Sequence, residues 1–452
     1  MHPLAILLLS IVAVFVLIVR LKINAFVALI AAAILIGVLA PTVPIEAVMG
    51  EVAGRFGRVV GSIGIPIAMA AVIGQCMMES GAADKITRRF IAWFGEKRSS
   101  LSLVASGYVL SVPVFYDTVF YLLVPLARSM TIRAGGRHYI LNALAIGAGG
   151  SATHVFVPPT PGPLAMAETM NIDLGLVIVV GLLVAAPASL LTWLYCIWID
   201  KKLDIPVREA PGLSLAELEE IAHKPESELP GMFASLLPVV LPIIMITSNT
   251  VAGTLAPGSE IARYASFFGN PSFALMVAAA AGLWVLARQK GMSLAELAKP
   301  AQEAIGSAGM IILITAGGGA FGGMLVEAGV GDVFAELAKS GSMSYIWLGF
   351  GVSVLLRVAQ GSATVAMITV ASILAPIMVQ SPPAYHPVYV LMAVGGGSLV
   401  GNWMNNSGFW VFTTMTGLSE VEGLKTVTGS SAVLGTSGAV VAWIGSILFP
   451  MV

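Results

Sequence analysis

The chain has 452 residues, of which 57% are hydrophobic and 10% charged, with a formal net charge of −1. A soluble fold carries roughly 25% charged residues, so this composition excludes a soluble enzyme, a disordered chain and a nucleic-acid binder with a basic face. It fits an all-α polytopic membrane protein, and the 49 glycines and 25 prolines point to close helix packing and interrupted helices.

Apolar stretches of about 20 residues are read as membrane spans. In chain order they fall at 3–19, 23–41, 62–80, 138–157 and 172–199, then at 232–251, 271–287, 305–328, 387–404 and 428–449. Two further apolar stretches, 101–127 and 345–378, are interrupted by polar residues and read as re-entrant hairpins. The opening MHPLAILLLS has no basic region and no small-residue cleavage site, so it is expected to be the first span and not a removed signal. Cys76 and Cys196 both lie in apolar stretches and offer neither a disulfide framework nor a metal motif. Ser214 with Glu217, and Ser293 with Glu296, have capping-box spacing and open short amphipathic helices.

Basic residues set the orientation. With an outer N-terminus and a first hairpin that enters and leaves from the inner side, 18 of the 23 Lys and Arg residues fall inside. Only Arg55, Arg58, Arg263 and Lys339 fall outside, and Arg357 sits in the second hairpin. The 200–230 loop is then cytoplasmic, and both termini are periplasmic.

The two halves resemble each other at an offset drifting from 245 to 248 residues. Gly61-Ser62-x-Gly64 matches Gly306-Ser307-x-Gly309, Glu79-x-Gly81-x-x-Asp84 matches Glu327-x-Gly329-x-x-Asp332, and Gly147-x-Gly149 matches Gly395-x-Gly397. Residues 1–199 form a first repeat, with its hairpin at 101–127 and a broken helix at 138–170. Residues 200–230 are the linker. Residues 231–452 form a second repeat, with its hairpin at 345–378 and a broken helix at 387–416. Each repeat has five spans, an odd number, so the second is inverted. Inverted repeats with broken helices are a design of secondary transporters, whose substrate site lies near the midplane between the halves.

Polar groups deep in hydrocarbon are costly and mark functional sites by default. Four such clusters stand at corresponding places. The tip of the first hairpin holds Tyr116 and Asp117, the one acid set deep in an apolar stretch. Asp117 reads as a helix cap, as a functional carboxylate, or as both. The first broken helix carries Thr153, His154 and Thr160 beside four prolines in six residues, 158–163. His154 reads equally as a buried histidine bonded to a carbonyl or as a proton or substrate contact. The tip of the second hairpin holds Arg357, Gly361, Ser362 and Thr364. Free N–H groups at a helix start suit a carboxylate. Arg357 could meet a substrate anion, pair with Asp117, or snorkel to the outer surface. The second broken helix carries Asn402, Asn405, Asn406 and Ser407, whose amides can hold the hydroxyls of an oxygen-rich substrate. An HExxH motif, an acid pair and a nucleophile–base pair are all lacking, which argues against an intramembrane enzyme. Opposed hairpins fit alternating access better than an open channel. No cofactor is expected.

At these clusters the chain resembles the gluconate permease (gluconate:proton symporter) family of bacterial inner membranes. The matching pieces are PVFYD (113–117), FVPPTPGP (156–163), TAGGGAF (315–321), RVAQGSATVA (357–366) and NNSGFW (405–410). The resemblance implies an ion-transporter-superfamily fold, elevator motion, and proton-driven uptake of a small hydroxy-carboxylate across the inner membrane. A homodimer is expected by analogy alone. Two positions depart from the family pattern. Thr160 stands where the family has His, and Asn405-Asn406 stands where it has Asn-Asp, so one titratable group is lost at each. These departures open the way to a less hydroxylated acid, such as a short 3-hydroxy acid or a sulfonate. In the coupling assignment Asp117 carries the proton, with His154 as the second candidate. The alternative is a sodium-coupled carrier of a small carboxylate or sulfonate, with Ser362, Thr364, Asn402 and Asn405 around Na⁺.

Overall fold

A computed structural model describes residues 2–21, 23–95, 98–113, 116–133, 136, 138–208, 228–329, 344–404 and 406–451. Among these residues every regular element is helical. The first half comprises α1 (Pro3–Phe15, continued by a π-turn over Val16–Arg20), α2 (Ala25–Leu39), α3 (Val48–Glu79), α4 (Ala82–Phe94), α5 (Ser99–Leu110), α6 (Tyr116–Arg133), α7 (Tyr139–Phe156), α8 (Pro161–Thr169) and α9 (Leu174–Leu203). The second comprises α10 (Met232–Leu255), α11 (Glu260–Phe268), α12 (Pro271–Lys290), α13 (Ala298–Glu327), α14 (Tyr345–Gln360), α15 (Ala363–Gln380), α16 (Val388–Gly397), α17 (Ser407–Thr416), α18 (Glu420–Lys425) and α19 (Val427–Leu448).

Among the described residues, eight helical stretches are long and apolar enough to cross a membrane, the broken pair α7–α8 counting as one. The chain is a multi-pass membrane protein. Local chemistry fixes the helix starts. Asn24 accepts from Phe26 N at 2.9 Å, Asp173 from Leu176 N at 2.8 Å, and Asn270 from Ser272 N at 3.0 Å with Pro271 in the first turn. The Ser293–Glu296 capping box is reciprocal, with Ser293 N to Glu296 Oε2 at 2.7 Å and Glu296 N to Ser293 Oγ at 3.4 Å. It closes a turn ahead of α13 instead of opening a helix of its own. The Ser214–Glu217 box lies outside the described residues.

Three boundaries differ from the sequence expectation. Helix α3 begins at Val48, not at 62, because its polar first turns are held by packing on α13 and by ion pairs from Arg55 to Glu51 and Glu327. Helices α4 and α11 have polar faces that hide them from a search for apolar runs. Helix α16 is only ten residues long, and every one of them is buried.

The buried centre is built from α7, α8 and α16, with α5, α9 and α19 around them. Glycines set the spacing. A Cβ on Gly107 would sit 2.5 Å from the Ile146 carbonyl, and one on Gly149 would run into the Val104 carbonyl, so α5 and α7 touch backbone to backbone. On the outside, α10 and α11 expose Phe233, Leu255 and Ile261, as a lipid-facing surface does. At the end of the molecule bearing the basic loops, buried Arg128 donates to the carbonyls of Met415 and Arg208. Arg208 in turn holds Glu422 through two bonds, of 2.7 and 2.8 Å.

Candidate functional site

Both interrupted stretches expected to be hairpins are helix–tip–helix pairs. In the first, α5 ends at Leu110 and the buried residues Ser111, Val112 and Pro113 lead to the tip. Val114 and Phe115 lie outside the described residues. Tyr116 opens α6 and leans on α7. A Cβ on Gly147 would lie 3.1 Å from its hydroxyl, and one on Gly150 would lie 3.0 Å from its ring and 2.8 Å from Ser111 Oγ. Glycines at 147 and 150 therefore make the seat for this tip. Asp117 falls on the first turn of α6, and its side chain lies outside the described set.

In the second hairpin, Gly361 turns the chain with φ = 85°, a left-handed conformation that favours glycine. Ser362 then caps α15 by accepting from Val365 N at 3.3 Å. Arg357 does not snorkel outward. It is 3% exposed and donates to the Gly361 carbonyl. Asn406 Nδ2 donates to the same carbonyl at 2.6 Å, so hairpin tip and second broken helix are bonded together. Trp403 Nε1 adds a bond to the Val358 carbonyl at 3.1 Å.

The second break runs from Ser398 to Asn406, between α16 and α17. Gly401 takes φ = 83°. The Asn402 carbonyl accepts from Thr428 Oγ1 at 2.5 Å, which fixes the turn against α19. Among the described residues, the Asn402 side-chain oxygen Oδ1 is buried without a hydrogen-bond partner, as is Ser111 Oγ at the opposite tip. Such orphans in a native interior call for an explanation.

The two halves meet at a small cavity with both polar and apolar walls. Tyr116, Gly147 and Ser151 of the first half face Asn402, Ser430 and Ser431 of the second. Phe412 also lines it and packs on Phe120, with ring centroids 5.1 Å apart and planes tilted by 32°. Its volume is about 20 Å³, room for a water molecule and far below the several hundred Å³ of a ligand pocket.

Of the residues singled out in the sequence, Tyr116 and Asn402 line this cavity. Arg357, Gly361, Ser362 and Asn406 form the bonded tip beside it. Thr364 stands in the first turn of α15 and does not line it. Thr153 and Thr160 are buried, and their hydroxyls go to their own backbone, to Gly150 O at 3.4 Å and Val157 O at 2.6 Å. His154 does not line the cavity. Asn405 lies outside the described residues, as does the side chain of Ser407. The sequence reading missed Thr192, Ser430 and Ser431. Adjacent serines inside the last apolar span were the available signal.

A membrane protein with paired hairpins, broken helices and a polar centre between its halves belongs to the class of permeases, and the comparisons agree. The model of the GntP family permeases matches residues 2–448, so the chain belongs to the GntP permease family. It is 34% identical to a gluconate permease of Pseudomonas aeruginosa, over 96% of this chain and 95% of that protein. It is 30% identical to the Gnt-II system L-idonate transporter of Escherichia coli, over 96% and 97%. A high-affinity gluconate transporter of Escherichia coli is 29% identical over the whole of both chains. These relatives are permeases and transporters, not enzymes. Among solved structures, the YdaH transporter of Alcanivorax borkumensis matches with a TM-score of 0.66 at 14% identity, covering 94% of this chain and 98% of that one. At that identity the likeness concerns the fold alone.

Proposed function

We propose that the chain is a secondary active transporter of the inner membrane that takes up gluconate or another small hydroxy-carboxylate by proton symport. One observation carries this reading: hydroxyl- and amide-bearing residues of both halves, Tyr116, Ser151, Asn402, Ser430 and Ser431, line one cavity, and Asn402 Oδ1 is buried without a hydrogen-bond partner among the described residues. An oxygen-rich anion offers hydroxyls that such amides and hydroxyls can bind. The names of the relatives, gluconate and L-idonate carriers, point to the same substrate class.

The cavity of about 20 Å³ is too small for a six-carbon acid. Substrate therefore binds only when the halves separate, and alternation between separated and closed forms is the transport cycle. The element order supports two repeats, since among the described residues four helices, a hairpin, a broken helix and a final long helix appear in each half. An elevator motion would carry the hairpins and broken helices past α3 and α13.

Protons fit the tip better than sodium. The Gly361 carbonyl already accepts from Arg357 and Asn406, which uses both its lone pairs, and the Ser362 hydroxyl already caps α15. Two tip oxygens that could hold Na⁺ are thus engaged, whereas Asn402 Oδ1 is not. In the proton scheme, Asp117 loads a proton on the outer side and so loses its repulsion for the anion. Substrate and proton cross together, and deprotonation inside releases the anion. An unprotonated Asp117 beside a bound carboxylate would place two negative charges in one poorly solvated site.

The test is uptake of labelled gluconate, with a short 3-hydroxy acid in parallel, by purified protein in sodium-free liposomes. Accumulation driven by an inward proton gradient is expected. Asp117→Asn should exchange substrate across the membrane without concentrating it. A strict sodium requirement, or an Asp117→Asn variant that accumulates like the wild type, would overturn the coupling scheme.

A further inference from the structure

A second cavity lies among α3, α8, α13 and α15, has a volume of about 410 Å³, and falls in the range of small-molecule sites. Three helices each present one stripe to it: Arg55, Arg58 and Ser62 from α3, Gly319, Gly322 and Gly323 from α13, and Ser372, Ala375 and Gln380 from α15. The glycine stripe makes the room. A Cβ on Gly323 would lie 2.8 Å from Arg55 Nη1, one on Gly322 would lie 2.6 Å from Ser372 Oγ, and one on Gly319 would strike Val59. Side chains at these positions would close the cavity.

Its electrostatics are lopsided. Two guanidinium groups and one carboxylate, Glu168, line it. Arg55 is bound to Glu327 and lies 3.6 Å from Glu51, so it forms a fixed wall. Arg58, one turn further along α3, is exposed, and no carboxylate lies within ion-pair distance of it among the described residues. These arginines are two of the four basic residues that the charge bias assigns to the outer face. The cavity floor at Ser372 lies ten residues along α15 from the tip residue Ser362, about 15 Å at the helical rise. Between them the buried Met367 and Ile368 pack on Gly162 and Gly318.

We propose that this cavity is an anion-capture vestibule, where Arg58 holds a small carboxylate before it reaches the hairpin tips. The proposal rests on the carrier reading above and adds where the substrate is first bound. Arg58 supplies a paired-donor contact for a carboxylate, while the Ser62 hydroxyl beside it donates to the Val59 carbonyl at 3.0 Å and lines the wall. Met367 and Ile368 lie along α15 between this compartment and the hairpin tip.

The experiment labels a cysteine placed in the vestibule, Ala375→Cys, with two methanethiosulfonate reagents, one bearing a sulfonate and one a trimethylammonium group. Cys76 and Cys196 are buried, and the parent protein gives the background. The sulfonate reagent should react faster than its charge-free chemistry alone would give. Arg58→Gln should lower the anion-to-cation rate ratio by about tenfold or more, since one charge a few Å away in water shifts the two reagents by about threefold to fivefold each, in opposite directions. Arg58→Lys should keep the ratio, and Arg58→Glu should push it lower still. In liposomes Arg58→Gln should raise KM for gluconate, and the difference should shrink in high salt. A ratio indifferent to Arg58 overturns the vestibule, and a ratio that moves with KM unchanged overturns its role in substrate capture. A wild type that takes up no hydroxy acid refutes the carrier reading instead, whatever the labelling shows.

Discussion

Asn402 is held by its backbone and leaves its side chain to the cavity. Its carbonyl is fixed by Thr428 at 2.5 Å, while Oδ1 is buried without a partner among the described residues. Asn402→Ala should therefore keep the turn and lose the contact. An oriented bond left unmade costs roughly 1–3 kcal/mol, so KM for gluconate should rise about tenfold or more. Thermal unfolding in detergent should shift little. Uptake kinetics beside a melting curve check both, and an unchanged KM would remove Asn402 from the site. At this scale the sequence was legible where polar residues interrupt an apolar run, as at Tyr116 and Asn402. Ser430 and Ser431 were not, because serines among glycines and alanines in a membrane helix read as packing groups. The direction of Arg357 was also hidden, since its acceptor, the Gly361 carbonyl, comes within reach only after the left-handed turn forms. Thr153 and Thr160 looked like ligands, yet their hydroxyls serve helix ends.

Helices were found from apolar length and lost where polarity is paired. The first turns of α3 contain Gly50, Glu51, Gly54, Arg55, Gly57 and Arg58, which read as a loop until Arg55 meets Glu327 on α13. Both hairpins were legible because an apolar stretch broken in its middle by Pro, Gly and small hydroxyl residues cannot cross as one straight helix. The glycine contacts that hold the first hairpin lead to a direct test. Gly107→Ala and Gly149→Ala would each press a methyl group into the backbone of the partner helix. Each should destabilise the protein by about 2 kcal/mol or more, the scale of overpacking in a tight interface. Gly54, with nothing within 4 Å of a built Cβ, is the matched control. Gly54→Ala should be neutral or stabilising by about 0.5–1 kcal/mol through helix propensity. Melting temperatures of the three variants decide, and equal behaviour of Gly54→Ala and Gly149→Ala would contradict the backbone contact.

At the scale of the whole molecule, the multi-pass helical class was legible, while the sizes of the cavities were not. Volume depends on how far two packed halves stand apart, and composition does not record that distance. Orientation follows from the basic residues, 18 of which gather on one expected face. A cysteine introduced at Ser214 in the central linker should resist a membrane-impermeant maleimide in intact cells. It should react once the inner membrane is opened. Labelling in intact cells would invert the topology, and would place the Arg58 vestibule on the inner side. On the face with the basic loops, Arg128, Arg208 and Glu422 tie the base of the first hairpin to the end of the second broken helix. Opening of the carrier toward that side has to loosen this cluster.

The central claim is that the halves share one site which must open for transport. Cysteines at Ser151 and Ser431, one from each half, would both line the cavity of about 20 Å³, and a mercuric ion is used to bridge them. In a background with Cys76 and Cys196 replaced, the double variant is reconstituted and gluconate uptake is measured before mercury, after it, and after a dithiol removes it. The account expects the bridge to form, shown by intact mass, uptake to stop in the double variant alone, and the dithiol to restore it. Uptake that continues at its untreated rate with the bridge in place would contradict a shared site that opens between the halves.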